Sequence, residues 1–162
     1  MIPKQLKKEE LKFCRIKKGS KAPFEKDWTN KPYSWKDIQN FLPQENYGVL
    51  CGYGNLAVVD CDEEALQLAI ENLLPETFKI KTGGGGTHNY FFIPKLKQKI
   101  VLTIDNKHLG EVQSHGSQVV APNSIHPNGK KYEVYNDKEI AIIKCEQLLA
   151  IIKPFKIGRA HV

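Results

Sequence analysis

The sequence predicts an α+β fold: a mainly antiparallel sheet with helices packed to one side. Three observations point there. Short apolar, partly β-branched runs recur at residues 13–16, 47–51, 56–60, 87–93 and 118–121, separated by loops rich in Gly, Pro and Asn. Helical spacing of apolar residues is confined to a few segments, of which 63–74 is the longest. Turn signals, rather than helices, join several of the strand candidates.

Taken in order, residues 3–12 read as a short, mostly polar helix, 13–16 as a short strand and 17–23 as a loop broken by Gly19 and Pro23. Ser34 is placed to cap a helix over 35–42, with Trp35, Ile38, Phe41 and Leu42 at helical spacing and Pro43 as its stop. Residues 47–51 and 56–60 flank Gly52-Tyr53-Gly54-Asn55 and predict a β-hairpin. Asp62 can cap a helix over 63–74, whose Leu66, Ala69, Ile70 and Leu73 form one apolar stripe. Residues 77–81 alternate, glycines 83–86 form a tight loop, and 87–93 is a second strong strand. A further hairpin is predicted from 109–114 and 118–121 around His115-Gly116. Asn128-Gly129 turns the chain into a strand at 130–135, and 146–152 reads as a helix.

The chain has 162 residues, enough for one domain with its own core. Its 41% hydrophobic and 26% charged residues are those of a globular protein rather than a disordered one. No apolar stretch approaches the roughly 18 residues of a membrane span, and the lysine-rich opening lacks the apolar segment of a secretory signal. Cys14, Cys51, Cys61 and Cys145 form no C-x-x-C pair, which argues against a disulfide framework or structural zinc and for a reducing cytoplasm. The last six residues, 157–162, resemble a peptide read through a sequencing adapter, so the expected domain is 1–156, the front of a longer protein.

The net charge of +6 is uneven: residues 1–46 carry +5, 47–135 carry −1 and 136–162 carry +2. A basic flank beside a neutral or acidic centre suits a protein that holds a polyanion near a metal site. It also suits a merely soluble surface.

Three constellations carry the chemistry. Asp60 and Asp62, two apart on a strand end, project from one face, where Leu56 and Val58 precede them. Paired carboxylates suit magnesium or manganese; the plainer reading makes Asp62 a helix cap and Asp60 a surface residue. The run Gly83 to Gly86 followed by Thr87-His88 permits close approach of phosphate oxygens. It is not a Walker A loop, because no Gly-Lys-Ser/Thr follows; the alternative is a loose turn with an incidental histidine. Glu111 can add a third carboxylate or be simply solvated, and Ser124 and His126 sit in a Pro-bounded loop that could supply polar contacts.

Together and in this order the motifs resemble the bifunctional primase–polymerase (Prim-Pol) domain of the archaeo-eukaryotic primase superfamily. The resemblance begins near Phe13, passes through Lys21-Ala22-Pro23 and Trp28, and ends near Val134. It rests on Asp60-Cys61-Asp62, on Gly86-Thr87-His88, on Glu111, and on the tail from Ala121 through Ser124 and His126 to Tyr132. Glu111 departs from the more usual Asp, and the zinc-bearing insertion of some relatives is missing.

The resemblance implies an RRM-like catalytic core and a nucleotidyltransferase acting as DNA primase and polymerase in DNA replication, with a mobile element as the expected context. It implies two divalent ions, Mg²⁺ or Mn²⁺, on Asp60, Asp62 and Glu111, and a nucleoside triphosphate bound by Gly85, Gly86, Thr87, His88, Ser124 and His126. Single-stranded template and primer are the implied partners, with lysines of residues 4–36 on the template backbone and a C-terminal helicase or helix bundle in the full-length protein. Two other functions compete with this one: a non-catalytic nucleotide or single-strand binding module of the same fold, and a metal-dependent nuclease. An RRM would show a Gly-Phe-rich aromatic strand, and a rolling-circle initiator a His-x-His pair; neither pattern is present.

Overall fold

A computed structural model describes residues 1–157; residues 158–162 of the expected tail lie outside the described residues. The strands are β1 (Phe13–Ile16), β2 (Asn46–Leu50), β3 (Leu56–Cys61), β4 (Lys79–Lys81), β5 (Thr87–Phe92), β6 (Ile100–Ile104), β7 (Lys107–Gln113), β8 (Gln118–Val120), β9 (Glu133–Asn136), β10 (Ala141–Ile142) and β11 (Lys156–Ile157). The helices are α1 (Trp35–Ile38), α2 (Glu64–Leu73) and α3 (Cys145–Ile152). The α+β class holds, with mostly antiparallel pairing, but the strands form two sheets rather than one. A three-stranded sheet runs β1-β2-β8, and an eight-stranded sheet runs β11-β6-β7-β3-β5-β4-β9 with β10 beside β5.

Both predicted hairpins fail for the same reason. β2 and β3 lie in different sheets, as do β7 and β8, so each connection carries the chain across the molecule instead of back along itself. Every residue of β2 is buried, and β3 is buried on both faces until Asp60. Each is a central strand with two other partners, leaving no edge for the predicted mate. The connection after β2 uses Gly52, Gly54 and Asn55 at positive φ to change direction.

β3 divides the core. Leu56 and Val58 face the small sheet and pack with Phe13, Tyr47, Val49 and Tyr90. Ala57, Val59 and Cys61 face the other way, under α2 and α3, with Leu66, Ile70, Leu148 and Ile152. The large sheet is therefore a layer between a second sheet and a helical layer, which is why its central strand β3 reads as a continuous apolar run up to Asp60.

Other local expectations are corrected. Residues 3–12 form only a 3-10 turn at Lys4–Leu6. Leu6 and Leu11 both enter the intersheet core, and a helix would set them roughly 140° apart. The helix capped by Ser34, whose Oγ accepts from the Asp37 amide at 3.2 Å, gives way at Gln39 to a 3-10 turn before Pro43. Asp62 does not cap α2: Glu63 is the capping position and makes no side-chain bond there. The buried face of α2 is Leu66 and Ile70, continued by Leu74, whereas Leu73 is exposed. The strand expected at 130–135 begins only at Glu133, and β6 has no counterpart in the sequence reading. No helix among the described residues is long and apolar enough to cross a membrane.

Candidate active site

Where the apolar run of β3 ends, the intersheet core opens into a cleft of about 220 Å³. Asp60, Asp62, Gly84, Gly86, His88, His126 and Tyr132 line it, with Lys21, Gln113 and Gln118. Asp60 is its centre because β3 is flanked on both sides: in register it faces His88 on β5 and Glu111 on β7. Cross-strand partners share a face, so three residues far apart in sequence become neighbours.

The charges at this point are crowded. His88 Nε2 stands 3.6 Å from Asp60 Oδ1. Burial pushes the Asp60 carboxyl up to about 6, and the neighbouring Glu111 adds to the rise. Asp62 is raised as well, by burial and then by Asp60. Burial also tends to raise Glu111, yet Lys99, His108 and Gln113 together hold it below the usual carboxylate range. Lys99 Nζ is 3.1 Å from Glu111 Oε2, and Gln113 Nε2 donates to the same oxygen. His88, 6% exposed, is pushed down to about 4 by burial, so its imidazole is neutral at physiological pH.

His108 was not singled out from the sequence as a site residue. It bridges the acidic group, Nδ1 at 3.4 Å from Asp62 Oδ2 and Nε2 at 3.3 Å from Glu111 Oε1. In a regular strand, residues three apart point to opposite faces. Here the register between β6 and β7 shifts: Leu102 faces Gly110 and Thr103 faces His108, leaving Leu109 as an extra residue. Leu109 joins Val112 in the helix-side core, which turns His108 onto the same face as Glu111. No residue pattern announces that bulge.

The glycine loop turns between β4 and β5. Gly85 takes a positive φ of 97°, and the amides of Gly85 and Gly86 donate to Thr82, to its carbonyl and its Oγ1 respectively. The loop packs on His126: a Cβ at Gly83 would lie 2.3 Å from His126 Cβ. His126 Nδ1 accepts from the Asn128 amide at 3.0 Å, and its ring lies 5.8 Å from that of Tyr132.

Three expected contacts are placed elsewhere, the first being Gly85, which is not among the residues lining the cleft. Thr87 alternates onto the helix side of β5, where its hydroxyl bonds Gln67. Ser124 is buried, is not among the residues lining the cleft, and its Oγ accepts from the Tyr47 amide at 3.3 Å; it holds the Pro-bounded loop to β2. Glu111 stands beside Asp60 but outside the cleft lining, drawn away by Lys99 and His108. Among the described residues, no three His, Cys, Asp or Glu side chains are gathered closely enough to hold a metal ion as they stand.

A family model described as bifunctional DNA primase/polymerase, N-terminal, matches residues 4–146. The chain belongs to the Prim-Pol family. The match spans most of the chain and contains every residue of the cleft. A comparison with curated proteins gave no match. At the level of the Prim-Pol family the activity is that of a DNA primase/polymerase, a nucleotidyltransferase type of reaction.

Proposed function

We propose that this Prim-Pol domain performs template-dependent nucleotidyl transfer, with Asp60, Asp62 and Glu111 as ligands for two divalent ions, Mg²⁺ or Mn²⁺. The observation that carries this reading is the register of β3: Asp60 lies between Glu111 and His88 on one sheet face. The donor set suits such ions. The carboxylates are hard oxygen ligands, and Asp60 is raised by burial and by Glu111 in a way that a bound cation would relieve. Bound there, divalent ions would supply the charge that activates a hydroxyl and stabilises a departing pyrophosphate.

The chain's own side chains account for the rest. In the reaction, a primer 3′-hydroxyl or a first nucleotide's hydroxyl attacks the α-phosphorus, and the bond to pyrophosphate breaks. Catalysis of such a transfer is mostly positioning and electrostatics. His88, neutral and set deep in the wall, would offer a hydrogen bond to a phosphate oxygen without adding charge. Lys21 brings a positive charge to the cleft lining. The glycine loop, bare of side chains, would let the triphosphate lie close to His126. Exposed lysines of residues 4–36 would hold the template backbone, with binding that weakens steeply with salt.

The test is direct. Protein is incubated with single-stranded template, labelled nucleotides and Mg²⁺ or Mn²⁺, with and without primer. Template-length products are expected; a shortened template would indicate a nuclease, and binding without products a non-catalytic module. Asp60→Asn or Asp62→Asn should abolish synthesis with the fold retained.

A further inference from the structure

Phe24 and Tyr135 are the exposed aromatic side chains among the described residues, Phe24 at 42%. A single exposed apolar side chain is ordinary; what sets Phe24 apart is its company. The Arg15 guanidinium lies 5.1 Å from the centre of its ring and the Lys17 ammonium 5.6 Å, both within cation–π range. Arg15 is itself held, donating through Nε to Glu45 at 2.9 Å and lying 3.9 Å from the centre of the Phe41 ring, so Phe24 has a fixed backing. The loop that carries Phe24 is held too. Gln118 Nε2 donates to the Lys21 carbonyl at 3.1 Å, Asn46 Nδ2 donates to the Ser20 carbonyl at 3.3 Å, and Pro23 bridges Ile16 of β1.

This loop joins the cleft to the open surface. Lys21 lines the cleft, and Phe24 follows it by three residues, outside the lining. Lys17, Lys18, Lys21 and Lys26 of the same stretch are exposed, and none of them makes a salt bridge among the described residues. The one acid of residues 17–26, Glu25, is engaged by the Tyr33 hydroxyl and by Arg15. An exposed ring with a cationic backing and unpaired lysines in its loop complements a single nucleic-acid strand. The unstacked bases of such a strand offer flat faces, and its phosphates meet ammonium groups. Tyr135 also has two lysines near its ring, but the groove it lines carries Asp62, Glu63, Glu64 and Glu71, which repel a polyanion.

We infer that Phe24 is a stacking platform for a base of the single-stranded template beside the cleft, with the lysines of residues 17–26 on the flanking phosphates. The inference rests on the reading of this chain as template-directed and adds an aromatic contact to the lysine contacts. The test is fluorescence anisotropy of labelled oligonucleotides in EDTA, without nucleotides: an oligo-dT strand, a strand of the same length built of abasic sites, and a duplex. Phe24→Leu keeps an apolar contact to Arg15 and removes the flat face, Phe24→Trp restores that face, and thermal melts check both folds. Phe24→Leu should weaken oligo-dT binding by roughly 5- to 30-fold, with the slope against salt unchanged because no phosphate contact is lost. Phe24→Trp should bind at least as tightly as wild type, and the abasic strand should not distinguish the three proteins. Equal oligo-dT affinities for wild type and Phe24→Leu would overturn the inference. So would an equal loss on the abasic strand or the duplex, which would make Phe24 a support for the phosphate contacts and not a platform. Wild-type protein that binds no oligonucleotide would instead sink the template reading itself, and the Phe24 assignment with it.

Discussion

Asp60 and Glu111 are register partners on β3 and β7, two carboxylates at adjacent positions of one sheet face. In the cation-free protein this is a liability, and it makes a prediction about stability. The folded Asp60 carboxyl is raised to about 6 from 3.8. Its ionisation therefore opposes folding at neutral pH, by about 2–3 kcal/mol. Asp60→Asn should remove synthesis yet raise the melting temperature in EDTA by several degrees. Added Mg²⁺ or Mn²⁺ should then stabilise wild type and not the variant. A variant that melts lower than wild type in EDTA would show that Asp60 is held by favourable contacts instead.

Asp60 and His88 should also give opposite pH slopes. A raised carboxyl contributes stability that is complete below about 3.8 and lost as pH climbs through about 6. His88 runs the other way: its folded value is about 4 against 6.5, so its contribution is complete above 6.5 and lost as pH falls toward 4. In wild type the two trends nearly cancel. Urea titrations in EDTA between pH 4 and 6.5 should show His88→Gln gaining stability on acidification relative to wild type, and Asp60→Asn losing it. Parallel curves for all three proteins would refute both assignments.

His88→Ala should raise the nucleotide KM more than it lowers kcat, with little change in melting temperature, because the imidazole hydrogen-bonds nothing in the protein through Nδ1. Since its titration lies near 4, the wild-type KM should carry no His88 inflection between pH 6 and 8. Steady-state kinetics on a primed template decide the point, and an unchanged KM would remove His88 from the phosphate site.

Much of this was legible in the residues, for definable reasons. The period-two run from Leu56 to Asp60 places Asp60 on the face of Val58, and the same rule places His88 with Tyr90; both faces are as expected. Alternation is local, so local sequence carries it. The pairing of strands is not local. Gly52-Tyr53-Gly54-Asn55 has the composition of a hairpin turn and serves as a crossover, because β2 and β3 each have better partners elsewhere. The position of His108 depends on one extra residue at Leu109, which only the pairing with β6 reveals. Ser124 has the residue type of a ligand contact, but its Oγ meets the Tyr47 main chain, a neighbour 77 positions away.

The counter-charges on Glu111 imply competition with any divalent ion. Lys99 Nζ at 3.1 Å and His108 Nε2 at 3.3 Å occupy both carboxylate oxygens, and an ion must displace them. Lys99 is about half exposed, so its pair with Glu111 is weak, on the order of 0.5 kcal/mol. Lys99→Met should therefore cost little stability in EDTA and tighten Mn²⁺ binding by about 2- to 3-fold, read by electron paramagnetic resonance of free Mn²⁺. Weaker Mn²⁺ binding would mean that Lys99 helps to assemble the carboxylates.

Gly110 controls the spacing on which the acidic group depends. It pairs with Cys61 across β3 and β7, one position before Glu111. A Cβ added there would lie 2.1 Å from the Asp60 carbonyl oxygen and 3.0 Å from Leu66 Cδ2. The first neighbour is backbone in the central strand and cannot rotate aside, so β7 must move away from β3. Gly110→Ala should destabilise the fold by about 3 kcal/mol, and the displacement falls on Glu111 next to it. The loss of Mn²⁺ affinity should then exceed the loss shown by Gly116→Ala, where positive φ brings strain but no atom lies within 4 Å of the new methyl. Strain at a loop would lower stability alone; separation of β3 from β7 lowers both, and measuring melting temperature and Mn²⁺ affinity on the two variants separates the causes. Unchanged Mn²⁺ affinity in a folded Gly110→Ala protein would mean that Glu111 is not a ligand.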